Sequence, residues 1–66
     1  LPVLSEREVE ILEMIARGST TETISQQLYI SVHTVRTHIR NTLQKLDAHS
    51  RVEAVENARE RGILPR

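Results

Sequence analysis

The sequence has no cysteine, tryptophan or phenylalanine, and its 66 residues include one tyrosine, two glycines and two prolines. Without cysteine, neither a disulfide framework nor a thiolate metal site can support the fold. So few glycines and prolines exclude a small all-β fold, which needs a turn about every 8–12 residues. No apolar run approaches the roughly 18 residues of a membrane span, and no basic-then-apolar signal segment is recognised. The composition therefore predicts a small, soluble, cytoplasmic and mostly helical module.

A chain of 66 residues is predicted to be a single domain with a small core. It begins with Leu1 rather than methionine, so we expect it to be a piece of a longer protein. The formal net charge is zero, but the charges are segregated along the chain. Residues 1–22 hold five acidic and two basic residues, whereas residues 23–52 hold four basic residues, one acidic residue and all three histidines. This segregation favours binding of a polyanion by the second stretch.

Four capping signals divide the chain into four predicted helices. The candidate N-cap residues are Ser5, Thr20, Ser31 and Ser50, and the first and last of them open capping boxes with Glu8 and Glu53. Apolar residues at helical spacing follow each cap and predict helices over about 6–17, 21–28, 32–46 and 50–61. The expected fold is an all-α four-helix bundle. Its second and third helices, joined by about three residues, have the layout of a helix-turn-helix, although ordinary helix hairpins share this spacing.

The third predicted helix has two different faces. At 100° per residue its core stripe contains Val35, Ile39, Thr42, Leu43 and Leu46. The opposite face contains His33, Thr37, Arg40, Asn41 and Gln44, with Arg36 at its edge. No acidic residue lies between Ile24 and Leu46, although solvated helices usually mix the two signs of charge. Arginine, asparagine and threonine suit the base edges of DNA, so this face indicates either DNA binding or a merely solvated basic surface.

Residues spread over nearly the whole chain match one known family. The matching residues are Leu4-Ser5, Arg7-Glu8, Ile11-Leu12, Ala16, Gly18, Ile24, Leu28, Ile30-Ser31, Thr34-Val35-Arg36, His38, Asn41, Lys45-Leu46, Arg51, Ala54-Val55 and Gly62. In this pattern the chain resembles the LuxR-type (LuxR/FixJ/GerE) helix-turn-helix DNA-binding domain of bacterial response regulators and quorum-sensing regulators. The resemblance implies that residues 1–66 are the C-terminal domain of a longer transcription regulator, controlled by an upstream receiver or ligand-binding domain.

The chain departs from the family pattern at four positions: Thr21, Thr23, Ser25 and Arg36. Thr23 replaces a glutamate that usually completes a capping box, so Thr20 is expected to cap the second helix alone. Ser25 replaces a small alanine, and its hydroxyl is expected to bond back within its own helix.

The resemblance also implies roles for individual residues. It places the third helix in the major groove of double-stranded DNA, with base contacts from Arg36, Thr37, Arg40 and His33. It implies phosphate contacts from Thr21, Ser31, Thr34, His38 and Lys45. For Asn41 a base contact and a bond within the domain both stay open.

The fourth helix has more apolar breadth than one core face needs. The resemblance implies that it forms a homodimer through Val52, Glu56, Arg59 and Ile63. In a two-fold interface, Glu56 of one copy would pair with Arg59 of the other. The alternative is that Val52 and Ile63 pack under the chain ends.

Other chemistries find little support in the sequence. His33 and His38 are five residues apart, so they do not share one helix face as a pair of metal ligands would, and no cofactor is implied. No pocket for hydrolytic catalysis is expected in so small a bundle, so the protein is not predicted to be an enzyme. The acidic cluster of Glu6, Glu8, Glu10 and Glu13 is expected to be solvated, with RNA polymerase or an upstream domain as a possible partner. A sigma-factor-like promoter-binding domain and a protein-interaction bundle without DNA binding are the alternative functions.

Overall fold

The computed structural model describes residues 3–65 and contains four helices, with no strand in that range. Helix α1 spans Glu6–Ala16, α2 spans Thr21–Leu28, α3 spans Val32–Lys45 and α4 spans Arg51–Glu60. The predicted all-α fold is confirmed, and each predicted helix end agrees with the structure to within one residue. The agreement is close because each helix begins at a local signal that needs no tertiary contact.

Side-chain caps set the beginnings of all four helices. The Ser5 hydroxyl accepts from the Glu8 amide at 3.1 Å and the Glu8 carboxylate accepts from the Ser5 amide at 2.8 Å, which confirms the first capping box. Thr20, Ser31 and Ser50 accept from the amides three residues on, at 3.1, 3.0 and 3.1 Å. The second predicted box is only half present. The Glu53 carboxylate accepts from the His49 amide at 3.3 Å rather than from Ser50.

The connection between α2 and α3 consists of residues 29–31. Tyr29 ends α2 in the left-handed backbone region, with φ 57°, and Ser31 caps α3. The prediction that the Ser25 hydroxyl bonds back within α2 is wrong. Its hydroxyl donates instead to the Ile30 carbonyl at 2.8 Å, which ties α2 to the connection. The short, hydrogen-bonded connection fixes where α3 starts relative to α2.

Two adjoining clusters form the core. One cluster joins α1 and α4 with the end of α3 and the C-terminal residues that follow α4. It consists of Leu12, Leu46, Ala54, Val55, Ala58 and Leu64. The other joins α1, α2 and α3: Ile11, Met14, Ile24, Val35 and Ile39. Because α1 packs against helices on two sides, it buries Met14 as well as Ile11 and Leu12, whereas Val9 is partly exposed although helical spacing places it on the same side as Leu12. Among the helices of residues 3–65, none combines the length and the apolar character that crossing a membrane requires.

Candidate nucleic-acid interface

Helix α3 presents a polar face to solvent. Its exposed residues are His33, Arg36, Arg40, Asn41 and Gln44, and Thr34, Thr37 and His38 are partly exposed. Val35, Ile39 and Thr42 are buried beneath them, as is Leu46 just beyond the helix. The predicted division of α3 into a core stripe and an outer face is therefore confirmed, except that Leu43 is only partly buried.

The two arginines on this face form no ion pair with residues 3–65. Within residues 3–65 the ion pairs join Arg7 to Glu10 and Lys45 to Glu8. Arg36 and Arg40 thus lack a carboxylate partner in the described part of the chain. Their guanidinium groups are free to bind an external anion or the acceptor atoms of a base.

Hydroxyl groups near the start of α3 are oriented by local hydrogen bonds. Ser31 donates to Thr34 Oγ1 at 2.9 Å, which leaves the Thr34 hydroxyl able to donate outward. Thr37 donates to the His33 carbonyl at 3.1 Å, so its remaining lone pairs and its methyl group are available to a ligand. The chemistry suits a phosphate oxygen at Thr34 and a base edge at Thr37.

Lys45 is held inside the domain. Its Nζ lies 2.7 Å from Glu8 Oε1 and 3.3 Å from the Val3 carbonyl. Glu8 is 3% exposed, so the expectation that the whole acidic cluster of α1 is solvated is wrong at this residue. The phosphate contact predicted for Lys45 would compete with this ion pair.

The pair keeps Glu8 ionised. Burial opposes ionisation, but the hydrogen bonds from Lys45 and from the Ser5 amide outweigh it and hold the pKa of Glu8 below its ordinary value of 4.5. The ionised carboxylate joins the first turn of α1 to the last turn of α3. This contact spans 37 positions, so no local pattern in the sequence signals it.

The Thr21 hydroxyl also forms a hydrogen bond within the protein. Its side chain is buried, and its Oγ1 accepts from Arg51 Nη2 at 2.7 Å. This bond leaves the Thr21 hydroxyl proton free, but the burial of the residue limits the phosphate contact that the resemblance predicts for it. The exposed residue at this place is Arg51, which the resemblance did not place among the DNA contacts.

Arg51 extends the basic surface from α4 towards α3. Together with Arg36, Arg40 and Gln44 it lines a shallow concavity of about 380 Å³, whose apolar lining comes from Ile39, Leu43 and Ala48. None of these residues is acidic. Three arginines from two helices therefore line one open concavity along the side of α3.

The end of α3 is anchored by α4. The Asn57 side chain donates to the Leu46 carbonyl at 2.9 Å, and Arg61 donates to the Lys45 and Leu46 carbonyls at 3.2 and 3.3 Å. These carbonyls are among those that a helix end leaves without intrahelical partners. The anchoring orients α3 firmly on the rest of the domain.

The face of α4 predicted to form a dimer is mostly open. Val52 is 70% exposed and Glu56 and Arg59 are exposed, whereas Ile63 packs partly against the core. Val52, Glu56 and Arg59 line a groove of about 350 Å³ with Ile15, Ala16 and other residues near the end of α1. The structure thus brings three of the four predicted residues together on the surface, while Ile63 follows the alternative of packing under the chain end.

Comparison with known families identifies the domain. The sequence model of the family described as "Bacterial regulatory proteins, luxR family" matches residues 2–58 of this chain. The chain belongs to this family. It is a LuxR-type helix-turn-helix DNA-binding domain, which favours the predicted function over both alternatives.

Individual relatives agree with this assignment. The nitrate/nitrite response regulator protein homolog of Haemophilus influenzae is 50% identical over 82% of this chain and 26% of its own length. The spore germination protein GerE of Bacillus subtilis is 44% identical, covering 82% of this chain and 73% of that protein. The solved structure of the transcription factor GerE superposes with a TM-score of 0.89 at 42% identity, covering 97% of this chain and 96% of that one. The chain thus spans only about a quarter of the nitrate/nitrite regulator homolog but most of GerE.

Proposed function

We propose that this LuxR-type domain binds an operator half-site by inserting α3 into the major groove of double-stranded DNA. The observation that carries the proposal is the exposed outer face of α3, which has no acidic residue and on which Arg36 and Arg40 lack carboxylate partners among residues 3–65. The major groove, about 12 Å wide, admits an α-helix and displays a distinct donor and acceptor pattern for each base pair.

The residues divide into those that read bases and those that hold the backbone. Arg36, Thr37 and Arg40, with His33 nearer the helix start, point outward and contact base edges. Ser31, Thr34 and His38 contact phosphates along the flank of the helix. Phosphate contacts fix the register of the protein on the duplex, whereas base contacts supply sequence preference. In this proposal Thr21 contributes less because it is buried, and Lys45 contributes less because it is paired with Glu8.

The wider context follows from the relatives. One is named a response regulator and two are named transcriptional regulatory proteins, and this chain covers about a quarter to a third of each. We propose that residues 1–66 are the C-terminal output domain of such a regulator, acting in the bacterial cytoplasm as a non-catalytic module. An upstream receiver or ligand-binding domain would supply the control. The exposed acids Glu6, Glu10 and Glu13 offer a surface to that domain or to RNA polymerase.

Dimerisation through α4 completes the proposal. A groove with one exposed valine and two exposed charges is too small for the roughly 800 Å² per partner of a stable interface. We therefore propose that Val52, Glu56 and Arg59, with the part of Ile63 that stays exposed, support pairing on DNA or within the longer protein. Pairs would occupy half-sites about one helical turn apart.

Substitution of the arginines of α3 tests the proposal. Selection of bound sequences from random DNA first supplies the cognate site. Arg36→Ala or Arg40→Ala should then cost about 1–3 kcal/mol of binding free energy on that site and relax the preference at one base position. Arg17→Ala, which removes an exposed charge at the end of α1, is the matched control and should leave the preference unchanged. Equal losses on cognate and random duplexes, or no retardation of any duplex at low ionic strength, would contradict the assigned roles.

A further inference from the structure

Arg51 is exposed, yet its guanidinium is held in place. It is the first residue of α4, and its Nη2 donates to Thr21 Oγ1 in the first turn of α2 at 2.7 Å. Arginine side chains ordinarily lose considerable conformational entropy when they are ordered by a ligand. The bond to Thr21 orders this side chain in advance, between the start of α2 and the side of α3.

The position of Arg51 concentrates positive charge. Arg36, Arg40 and Arg51 line one concavity whose remaining lining is apolar apart from Gln44. Within residues 3–65, none of these three guanidinium groups forms an ion pair. Like charges placed together without a counter-charge repel one another, and they raise the local concentration of anions. The concavity is therefore suited to an anionic ligand that is extended along α3.

We infer that Arg51 binds a phosphodiester group of the DNA backbone that flanks α3. This inference rests on the proposed function, because it needs α3 to lie in the major groove. Base readers project from the outer face of α3, whereas Arg51 reaches towards its side from another helix. The walls on either side of a groove are the phosphate backbones, which receive most contacts of this kind.

The chemistry of the side chain fits a phosphate. A guanidinium carries five N–H donors in a planar fork, and one donor is used on Thr21. The others remain available for two phosphate oxygens. Arg51 thus provides an exposed charge where the family resemblance placed a contact by Thr21, whose own hydroxyl is buried.

The salt dependence of binding tests this assignment. Each phosphate neutralised by a cationic side chain adds about 0.9 to the slope of log affinity against log salt concentration. Arg51→Gln should weaken binding to cognate and random duplexes by the same factor, roughly tenfold at about 50 mM salt. Its slope should be smaller by about one. The ratio of wild-type to variant affinity should consequently shrink about 3.5-fold between about 50 and 200 mM salt.

Three further variants separate the effect of the Arg51 charge from the effect of its hydrogen bond to Thr21. Arg51→Lys keeps the charge and should keep the wild-type slope. Thr21→Val removes the hydroxyl that accepts from Arg51 and should also keep the slope, although affinity falls as the guanidinium loses its preordering. Arg17→Gln makes the same change of charge at the end of α1, away from the concavity, and should change the slope by much less than one.

The outcomes are distinct from those that test the proposed function. If the wild-type domain binds duplex DNA with a steep salt dependence and Arg51→Gln leaves the slope unchanged, the phosphate role of Arg51 is overturned while α3 binding stands. The same conclusion follows if Thr21→Val lowers the slope as much as Arg51→Gln, because loss of the Arg51–Thr21 hydrogen bond alone would then explain the change in slope. If the wild-type domain binds no duplex, the proposed function fails, and this inference fails with it. Circular dichroism of each variant confirms that the fold is intact before affinities are compared.

Discussion

Glu8 receives two hydrogen bonds on the same carboxylate oxygen, from the Ser5 amide at 2.8 Å and from Lys45 Nζ at 2.7 Å. It therefore belongs both to the cap of α1 and to the contact between α1 and α3. A buried carboxylate with such partners stays charged, but it becomes costly when its cation is removed. For a fully buried pair the loss is about 3–5 kcal/mol. Since the Lys45 side chain remains 35% exposed, we expect a smaller loss of about 2 kcal/mol.

Lys45→Met retains the apolar stem and removes the ammonium group. The free energy of unfolding should fall by about 2 kcal/mol near pH 7, as measured by urea denaturation. The sign of the pH dependence follows from Glu8. The pKa of Glu8 in the folded state lies below its ordinary value of 4.5. The ion pair therefore stabilises the fold fully above pH 4.5, and this stabilisation is lost as the pH falls through the folded-state pKa. The difference between wild type and variant should therefore diminish as the pH is lowered from 4.5 through the folded-state pKa of Glu8.

Glu8→Gln provides the matching control. Its amide oxygen can still accept from the Ser5 amide, so most of the cap survives while the charge is absent. In the double variant Glu8→Gln/Lys45→Met no buried charge is left unpaired, and part of the lost stability should return. A loss in Lys45→Met that is independent of pH, with no recovery in the double variant, would show that packing of the lysine stem is responsible.

At the scale of the helices, the sequence predicts what depends on neighbours along the chain. Ser5, Thr20, Ser31 and Ser50 each accept from an amide three residues on, so short patterns predict the beginnings of all four helices to within one residue. The two faces of α3 follow from helical periodicity in the same way. This is why the outer face of the candidate site was predictable.

The contacts that were not predicted join residues far apart in the sequence. Arg51 and Thr21 are 30 positions apart, and Lys45 and Glu8 are 37 apart. Such partners are chosen by how the helices pack, and the local pattern around each residue is unchanged by the choice. Arg51 was matched to the family pattern, but nothing next to it indicates that it reaches the side of α3.

The connection between α2 and α3 contains an unfavourable backbone conformation. Tyr29 has φ 57°, and its side chain is 94% exposed. A non-glycine residue in this region costs about 1–2 kcal/mol, and glycine avoids that cost. The nearly complete exposure means that little packing is lost when the side chain is removed.

Tyr29→Gly should therefore stabilise the domain. Part of the gain is offset because glycine gives the unfolded chain more conformational entropy, so we expect a net increase of about 0.5–1 kcal/mol in the free energy of unfolding. In thermal unfolding this corresponds to a rise of a few degrees, roughly 2–8 °C, in Tm. Tyr29→Ala removes the same side chain but keeps the backbone cost, and it should give no comparable gain. Equal stabilisation by alanine would place the cost in the exposed tyrosine side chain instead.

For the molecule as a whole, α3 is supported on several sides. It packs against α1 and α2 in one part of the core, and its end is bonded to side chains of α4. This arrangement presents the outer face of α3 in a defined orientation, as contact with base edges requires. It also leaves the outer side of α4, with Val52, Glu56 and Arg59, directed away from the core and open to a second copy.

Val52→Glu tests pairing through α4. Because Val52 is 70% exposed, the substitution should leave the fold intact, but it would place two carboxylates near the axis of a two-fold interface. We expect cooperative occupancy of a DNA carrying two half-sites to be lost, while binding to a single half-site changes little. The measurement is a titration of both DNAs by gel retardation. Val3→Glu makes the same change at another exposed valine, 83% exposed, and should preserve cooperativity.

Charge reversal on the same helix identifies the contact. If Glu56 of one copy pairs with Arg59 of the other, Glu56→Arg alone and Arg59→Glu alone should each reduce cooperativity, because both place like charges opposite one another. The double variant restores opposite charges at both symmetry-related contacts, so cooperativity should recover. Loss of cooperativity in both single reversals points to a direct pair, since the two reversals change the net charge of α4 in opposite directions and a general charge effect would not lower cooperativity in both. Undiminished cooperativity in Val52→Glu and in both single reversals would assign the pairing of half-sites to a surface other than α4.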